Sequence, residues 1–536
     1  MYLILINILH FITNKNHSYL RLKMENENAE FDKDLKLIAK SSVVVFLGIL
    51  LSKVFTYVYR IIIAREFSPA DYGLFTISAM ITGWFIALSN VGLNQGLARY
   101  IPLFRGKNQP EKIKSSFRYS FALTAIASTI SAILLFIFAE TISINFFHDN
   151  SLITFLKFFA IVIPLTVILE IILSVVLAYE EVGWYSFIHK ILIGFLKIVL
   201  LIAFIAIGFS VSSIFFSFIL SLFIALVISF FLVKYKFPYL FTKDDKSNWK
   251  KEKIFGEVFS YSWPLLFYGI TWSVFHWTDS FLLGYFATAA DVGIYNAAVP
   301  IAFIMTATTQ TFMQIFFPVI NREHAKNNNK TVKQLSQQVG KWIFMINLPI
   351  LLLLVLFPEA FLNILFGHEY ISAKSSLIFL SIGTLFFSVF NVSNSLIAMG
   401  GKSKTVLFDV LAASALNIIL NILLIPSYGI TGAAIATMIS LITLGVIFSV
   451  QSMIYFSIIP IRRKMANIGL AAIISTLLLL YIKSMMPINY LSMFVLALFF
   501  LVSYIFLVFL FKGLDKNDIM VAKSMLKKLK GRTKTS

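Results

Sequence analysis

The feature that most constrains this chain is a succession of apolar stretches, each long enough to cross a bilayer. A transmembrane helix needs roughly 20 mostly apolar residues. Such stretches run through 43–63, 72–93, 118–140, 153–179, 187–208, 211–233, 257–285, 291–317, 340–364, 375–399, 405–426, 430–456, 466–486 and 489–511, fourteen in all. They are continuous, without the alternation over about ten residues that a membrane barrel requires. Only 13% of the residues are charged and 59% are hydrophobic, against about a quarter charged in soluble domains. Such a chain cannot cover its apolar surface in water, which excludes soluble enzymes, secreted scaffolds and nucleic-acid binders. The absence of cysteine removes disulfides, thiol nucleophiles and Cys-based metal sites together.

The net charge of +20 is therefore read through its placement. Basic residues cluster before span 1 (Lys15, Arg21, Lys23, Lys33, Lys36, Lys40), between spans 2 and 3 (Arg99 to Arg118) and in the linker 234–256. They return between spans 8 and 9 (Arg322 to Lys341), 10 and 11 (Lys402, Lys404), and 12 and 13 (Arg462 to Lys464), and again in the tail after Phe511. The intervening loops hold only Arg65, Lys374 and Lys483. This alternation predicts an even number of spans in the cytoplasmic membrane with both termini in the cytoplasm. The first twelve residues are apolar but too short to span; they read as an interfacial segment or an upstream start ahead of Met24. The tail 514–530 mixes Leu514, Ile519, Met525, Leu526 and Leu529 with lysines, the pattern of a helix lying on anionic lipid or of a solvated basic tail.

An internal repeat organises the spans. Ala70-Asp71-Tyr72-Gly73-Leu74-Phe75 recurs 220 residues later as Ala290-Asp291-Val292-Gly293-Ile294-Tyr295. The same offset aligns Phe146, His148 and Asp149 with Phe366, His368 and Glu369, and Ala178 with Ala398. The expected fold is an all-α polytopic membrane protein of fourteen helices: two parallel-oriented six-helix lobes plus two C-terminal helices. The expected segments are a cytoplasmic stretch 1–35, an N-lobe 36–233, a basic linker 234–256, a C-lobe 257–456, the extra spans within 457–512, and a basic tail 513–536. Like-oriented repeats suit alternating access around a site near the midplane. Pro164, Pro264, Pro300 and Pro349 supply bends within spans.

Fourteen spans arranged six, six and two, with the Ala70–Phe75 segment between spans 1 and 2, resemble the polysaccharide transporter (Wzx-like flippase) family of the multidrug/oligosaccharidyl-lipid/polysaccharide exporter superfamily. The resemblance covers the chain from about residue 36. It implies flipping of a polyprenyl-phosphate- or diphosphate-linked glycan out of the cytoplasmic leaflet, and a central cavity lined by the first two spans of each lobe.

Polar groups within the spans are the candidate site, because a charge at the bilayer centre costs about 2.5–3.5 kcal/mol on insertion scales. Lys53 and Arg60, seven residues apart, share one helical face of span 1. Asn90, Arg99, His276 and Gln310 extend the set. Lysine and arginine hold phosphate by charge-assisted hydrogen bonds, and amides address sugar hydroxyls. Asp279 aligns with Tyr59 under the repeat, so Arg60 and Asp279 are expected at one depth on opposite lobes, pairing as a gate across the outer mouth in the inward-facing state and separating on opening. Glu170 and Lys197 are expected at matching depth on adjacent helices, as a structural ion pair or, second, a coupling-ion site. Asp409 and Glu359 read as interfacial, and His148 and His368 as loop structure rather than metal ligands.

No G-x-x-x-x-G-K-[ST] is present, and no cofactor, metal or nucleic acid is expected. The expected partners are a lipid-linked glycan, membrane lipids and, beyond them, a glycan polymerase or glycosyltransferases. An ion-coupled multidrug exporter and a peptidoglycan lipid-precursor flippase are the alternatives. A membrane glycosyltransferase or acyltransferase is disfavoured, because no outer loop is long and neither His189 nor His276 has evident partners.

Overall fold

The computed structural model describes residues 51–242, 251–485, 490–514 and 518. The expected segment 1–35, the start of span 1, the middle of the basic linker and nearly all of the tail helix lie outside the described residues. Within them the chain is almost entirely helical, as the bilayer demands: with no water to satisfy N–H and C=O groups, each span must close its own backbone hydrogen bonds.

Helix α1 covers residues 51–66. It is followed by α2 (Pro69–Asn90), α3 (Leu93–Gly106), α4 (Pro110–Asn145), α5 (Ser151–Ala160) and α6 (Val162–Ala178). Then come α7 (Val182–Ser186), a π-helical turn (Phe187–Leu192), α8 (Ile193–Ile207) and α9 (Ser212–Lys236). The second half comprises α10 (Lys251–Phe286), α11 (Ala289–Ala302), α12 (Met305–Ala325), α13 (Asn329–Leu356), α14 (Pro358–Leu365), α15 (Lys374–Met399) and α16 (Ser403–Phe456). Helices α17 (Lys464–Met485) and α18 (Tyr490–Leu510) complete the described chain. Ten of these helical segments are long and apolar enough to cross a membrane, eleven if the pair α11 and α12, bent by 44°, counts as one.

Three boundaries differ from the apolar pattern, each for a local reason. The stretch 340–364 divides at Phe357, whose non-helical backbone (φ −132°, ψ 43°) hands over to Pro358 at the first position of α14. The stretches 405–426 and 430–456 run on as one hydrogen-bonded helix, kinked at Gly429 (φ 55°, ψ −134°), a conformation open to glycine. The polar strip after span 2 forms its own helix, α3, set off by two consecutive left-handed residues, Val91 (φ 50°) and Gly92 (φ 70°).

The 220-residue repeat is visible in the helix starts. Ser68 and Asp71 form a capping box on α2, and Thr288 and Asp291 form the matching box on α11. The two copies also touch. A Cβ on Gly73 would stand 1.7 Å from the carbonyl oxygen of Ala289, and one on Gly293 would stand 2.0 Å from that of Pro69. Helices α2 and α11 therefore meet backbone to backbone at the repeated glycines, in the manner of small-residue contacts between membrane helices. Around this contact Tyr72 donates to the carbonyl of Asn296 at 3.2 Å and packs on Phe366 and Tyr370. Arg65 donates to the carbonyls of Asn363, Ile364 and Leu365, closing the free end of α14. These contacts seal the end of the bundle opposite the Lys/Arg-rich loops.

Gly73→Ala or Gly293→Ala should cost about 1–3 kcal/mol as an overpacked contact, read as a lower Tm in thermal-shift measurements on the purified protein. Gly83→Ala, where nothing lies within 4 Å of the added carbon, should leave Tm unchanged or raised.

Candidate functional site

A polar cavity of about 500 Å3 opens between α1, α10, α11, α12 and α15. Helix α1 contributes Lys53, Thr56, Tyr57 and Arg60, two turns of one face. Helix α10 contributes His276, and α11 contributes Val299 and Pro300. The backbone breaks after Ala302, just beyond Pro300, so that Phe303 and then Thr306, Thr309 and Gln310 of α12 turn toward the same space. Helix α15 adds Phe387, Ser388, Asn391 and Asn394, with the Asn394 amide donating to Asn391 Oδ1 at 3.1 Å. Two basic side chains, Lys53 and Arg60, stand in this wall and no carboxylate does.

Arg60 also lines two adjoining cavities. One, of about 330 Å3, lies between α1, α2, α6, α8 and α9 and includes Glu170, His189, Lys190 and Lys197. The other, of about 80 Å3, includes His276 and Asp279. Arg60 thus borders three spaces, and its planar five-donor fork is a group suited to binding an anion.

Lys53, Arg60, His276 and Gln310, expected as substrate contacts, come together in the main cavity. Asn90 does not; its amide donates to Glu170. Arg99 sits on α3 near the Lys/Arg-rich end, its guanidinium 4.1 Å above the ring of Tyr261. The expected Arg60–Asp279 pair is not made in this conformation. Asp279 is buried and accepts hydrogen bonds from Tyr295 and Thr437, from Asn421 at 2.9 Å and from Asn417 at 3.3 Å, a neutral cage that leaves no call for a counter-charge. Glu170 and Lys197 line one cavity without forming the expected ion pair: Lys197 lies 3.2 Å from the centre of the Phe218 ring, and Glu170 is taken by Asn90. Asp409, expected at the interface, is buried and accepts from Gln451 at 2.7 Å. Glu359 is exposed beyond the spans, where the hydrogen bond from Lys374 at 2.7 Å holds its carboxyl below the usual carboxylate range.

Among the described residues no group of three His, Asp or Glu side chains is placed to hold a metal ion. The arrangement closest to a cation-binding donor set is Asp279 with Asn417 and Asn421, whose amide oxygens are buried and have no donor. Reading the chain for charge passed over the neutral lining: Thr56, Thr306, Thr309, Ser388, Asn391 and Asn394. The available signal was the i, i+3, i+6 spacing of Ser388, Asn391 and Asn394 within an apolar helix.

The described residues form an almost entirely helical, multi-pass bundle around an internal cavity that carries basic side chains, the architecture of a membrane transporter. Residues 62–375 match the family described as "Polysaccharide biosynthesis protein", and the chain belongs to that family. It is 24% identical over 494 residues to "Uncharacterized membrane protein MJ1068" of Methanocaldococcus jannaschii, covering 88% of this chain and 94% of that one. It is 26% identical over 251 residues to "Probable low-salt glycan biosynthesis flippase Agl15" of Haloferax volcanii, covering 45% and 52%. Among solved structures, the fold is similar to that of the lipid II flippase MurJ in an inward closed conformation, with a TM-score of 0.69 at 16% identity, covering 88% of this chain and 98% of that one.

Asp279→Asn places an NH2 group among donors that need an acceptor. It should lower stability by roughly 1.5–3 kcal/mol, the worth of hydrogen bonds to a charged group, measured by unfolding in mixed micelles; Thr437→Val should cost less.

Proposed function

We propose that this chain carries a lipid-linked glycan from the cytoplasmic to the outer leaflet of the cytoplasmic membrane by alternating access, with the phosphate or diphosphate of the carrier lipid held by Lys53 and Arg60. The observation that carries the reading is the charge of the main cavity: two cations, no carboxylate, and a neutral lining of hydroxyls and amides. Lysine and arginine recognise phosphate oxygens through charge-assisted hydrogen bonds; Gln310, Asn391 and Asn394 face the same space and are suited to sugar hydroxyls.

A second cavity favours an amphiphile over a soluble cargo. About 420 Å3 of apolar space, bounded by Tyr57, Ile61, Pro300, Ile304, Leu353 and Phe361 among others, shares Tyr57 and Pro300 with the polar cavity. A headgroup in one and the first isoprenoid units in the other is the arrangement a polyprenyl phosphate needs.

In this reading the lobes are residues 36–233 and 257–456, with 457–512 outside the repeat. Adding α1, α10, the bent pair α11 and α12, and the division of α16 at Gly429 to the ten long apolar segments gives the fourteen spans expected from the apolar runs. The Lys/Arg-rich side and both termini face the cytoplasm. The contact of Gly73 with Gly293 and the Arg65 bonds then close the outer end, a role that the Arg60–Asp279 pair does not fill in this conformation. Glycosyltransferases supply the cargo on the cytoplasmic side, and a polymerase or transferase consumes it outside.

The test is leaflet translocation of a fluorescent polyprenyl-diphosphate oligosaccharide in proteoliposomes. The wild type should move it without covalent change, and Lys53→Ala and Arg60→Ala should each slow translocation at least tenfold with the fold retained. Translocation indifferent to both substitutions, or no movement of any polyprenyl-linked glycan, would overturn the reading.

A further inference from the structure

Helix α1 stands between two polar cavities, and phosphate recognition uses only one of them. Thr56 and Arg60, one helical turn apart, border both the main cavity and the space of about 330 Å3 on the other side. Lys53 and Tyr57 flank this edge toward the main cavity; Ser52, Phe55 and Tyr59 flank it toward the second space.

The second space is rich in basic groups. Besides Arg60 it is lined by His189, Lys190 and Lys197, against a single carboxylate, Glu170. Two local features of the chain deliver them. The π-helical turn Phe187–Leu192, a distortion often found at functional sites, puts the consecutive residues His189 and Lys190 on one wall. Directly after it, Gly194 lets α8 approach α1: a Cβ there would stand 2.7 Å from the Cβ of Phe55. Three residues on, Lys197 lies over the Phe218 ring, 3.2 Å from its centre. Neither lysine makes an ion pair or a hydrogen bond among the described residues, so their N–H donors remain for a ligand. Glu170 does not answer them: it takes the Asn90 amide, on the border with a further space of about 200 Å3 among Asn94, Gln95 and Tyr185. Ionisable groups within a membrane bundle mark the path of a polar cargo, and this set asks for an anion.

The reach of the cargo decides which anion. In the reading above the carrier phosphate sits at Lys53 and Arg60. Two phosphates joined through one oxygen stay together at that point, whereas a helix with its side chains is about 10–12 Å across. A charged group that reaches past α1 therefore belongs to the sugars. The walls suit a sugar ring: Phe55, Phe218 and Trp277 offer apolar faces and Ser52, Thr56 and Thr166 offer hydroxyls, in a volume typical of small-ligand sites.

We propose that the space beyond α1 is an acidic-sugar subsite, in which Lys190 and Lys197, with Arg60 at its edge, hold the carboxylate of a uronic acid close to the carrier phosphate. The cargo is then an acidic glycan. The inference deepens the translocation reading and rests on it.

The test compares two polyprenyl-diphosphate disaccharides, one ending in glucuronate and one in glucose, each supplied alone at low concentration to proteoliposomes of the full chain. The wild type should move the glucuronate cargo at least tenfold faster. Replacing both lysines, Lys190→Gln with Lys197→Gln, should bring the ratio of rates within twofold of one. Lys197→Arg should keep the preference, and Lys53→Gln should slow both cargoes without changing the ratio. Thermal-shift measurements on each variant report whether the fold is retained. Equal movement of both cargoes by the wild type, or a tenfold preference that survives loss of both lysines, would overturn the subsite and leave translocation standing. A double variant that slows the glucose cargo on a diphosphate carrier but not on a monophosphate carrier would give the lysines to the second phosphate, and would overturn it equally. Movement of neither cargo would overturn the translocation reading, and the subsite with it.

Discussion

The structure is organised by the cost of placing cationic side chains where hydrocarbon would surround them. Lys53 and Arg60 sit on a single helix, and no carboxylate shares the cavity that both line. A pair of buried charges is tolerated when water, hydroxyls and amides solvate it. The surrounding architecture supplies those groups: the break after Pro300 turns Thr306, Thr309 and Gln310 inward, and one face of α15 presents Ser388, Asn391 and Asn394. The cavity is thus the condition under which these cations can exist in a membrane protein at all.

Closure and opening are built from different materials. The end away from the Lys/Arg-rich loops is held by backbone contact at the two repeated glycines and by Arg65 on the end of α14. These contacts are set in a buried apolar cluster that includes Tyr72, Phe75, Val292, Phe366 and Tyr370. The other end is held by α3 against α10, again at glycines, and there Asn90, the last residue of α2, donates to the Glu170 carboxylate.

Much of the fold was legible in the residues because hydrophobic length and basic loops are the signals the bilayer itself reads. The repeat offset was equally plain, and it reappears as the twin capping boxes at Ser68–Asp71 and Thr288–Asp291. Chain breaks were harder. Phe357 and Gly429 divide or kink apolar runs without altering their hydropathy, and Val91 adopts a left-handed backbone that its type disfavours. At the site, charged residues could be found one by one, and Lys53, Arg60, His276 and Gln310 do share a cavity. Partnerships were not legible, because depth along a helix does not determine azimuth. Asp279 lines a cavity with Arg60 yet is satisfied by Tyr295, Thr437, Asn417 and Asn421, and Glu170 turns to Asn90 rather than Lys197.

The most direct measurement of the central claim is the charge preference of the cavity itself. With Thr56→Cys or Asn391→Cys as the only thiol in the protein, an anionic methanethiosulfonate should react at least tenfold faster than a cationic one of similar size. The preference should vanish when Lys53 and Arg60 are both replaced by glutamine, and Ile133→Cys, on an exposed apolar face, should react with neither. Faster reaction of the cationic reagent, or cavity thiols as inert as the one at 133, would contradict the account.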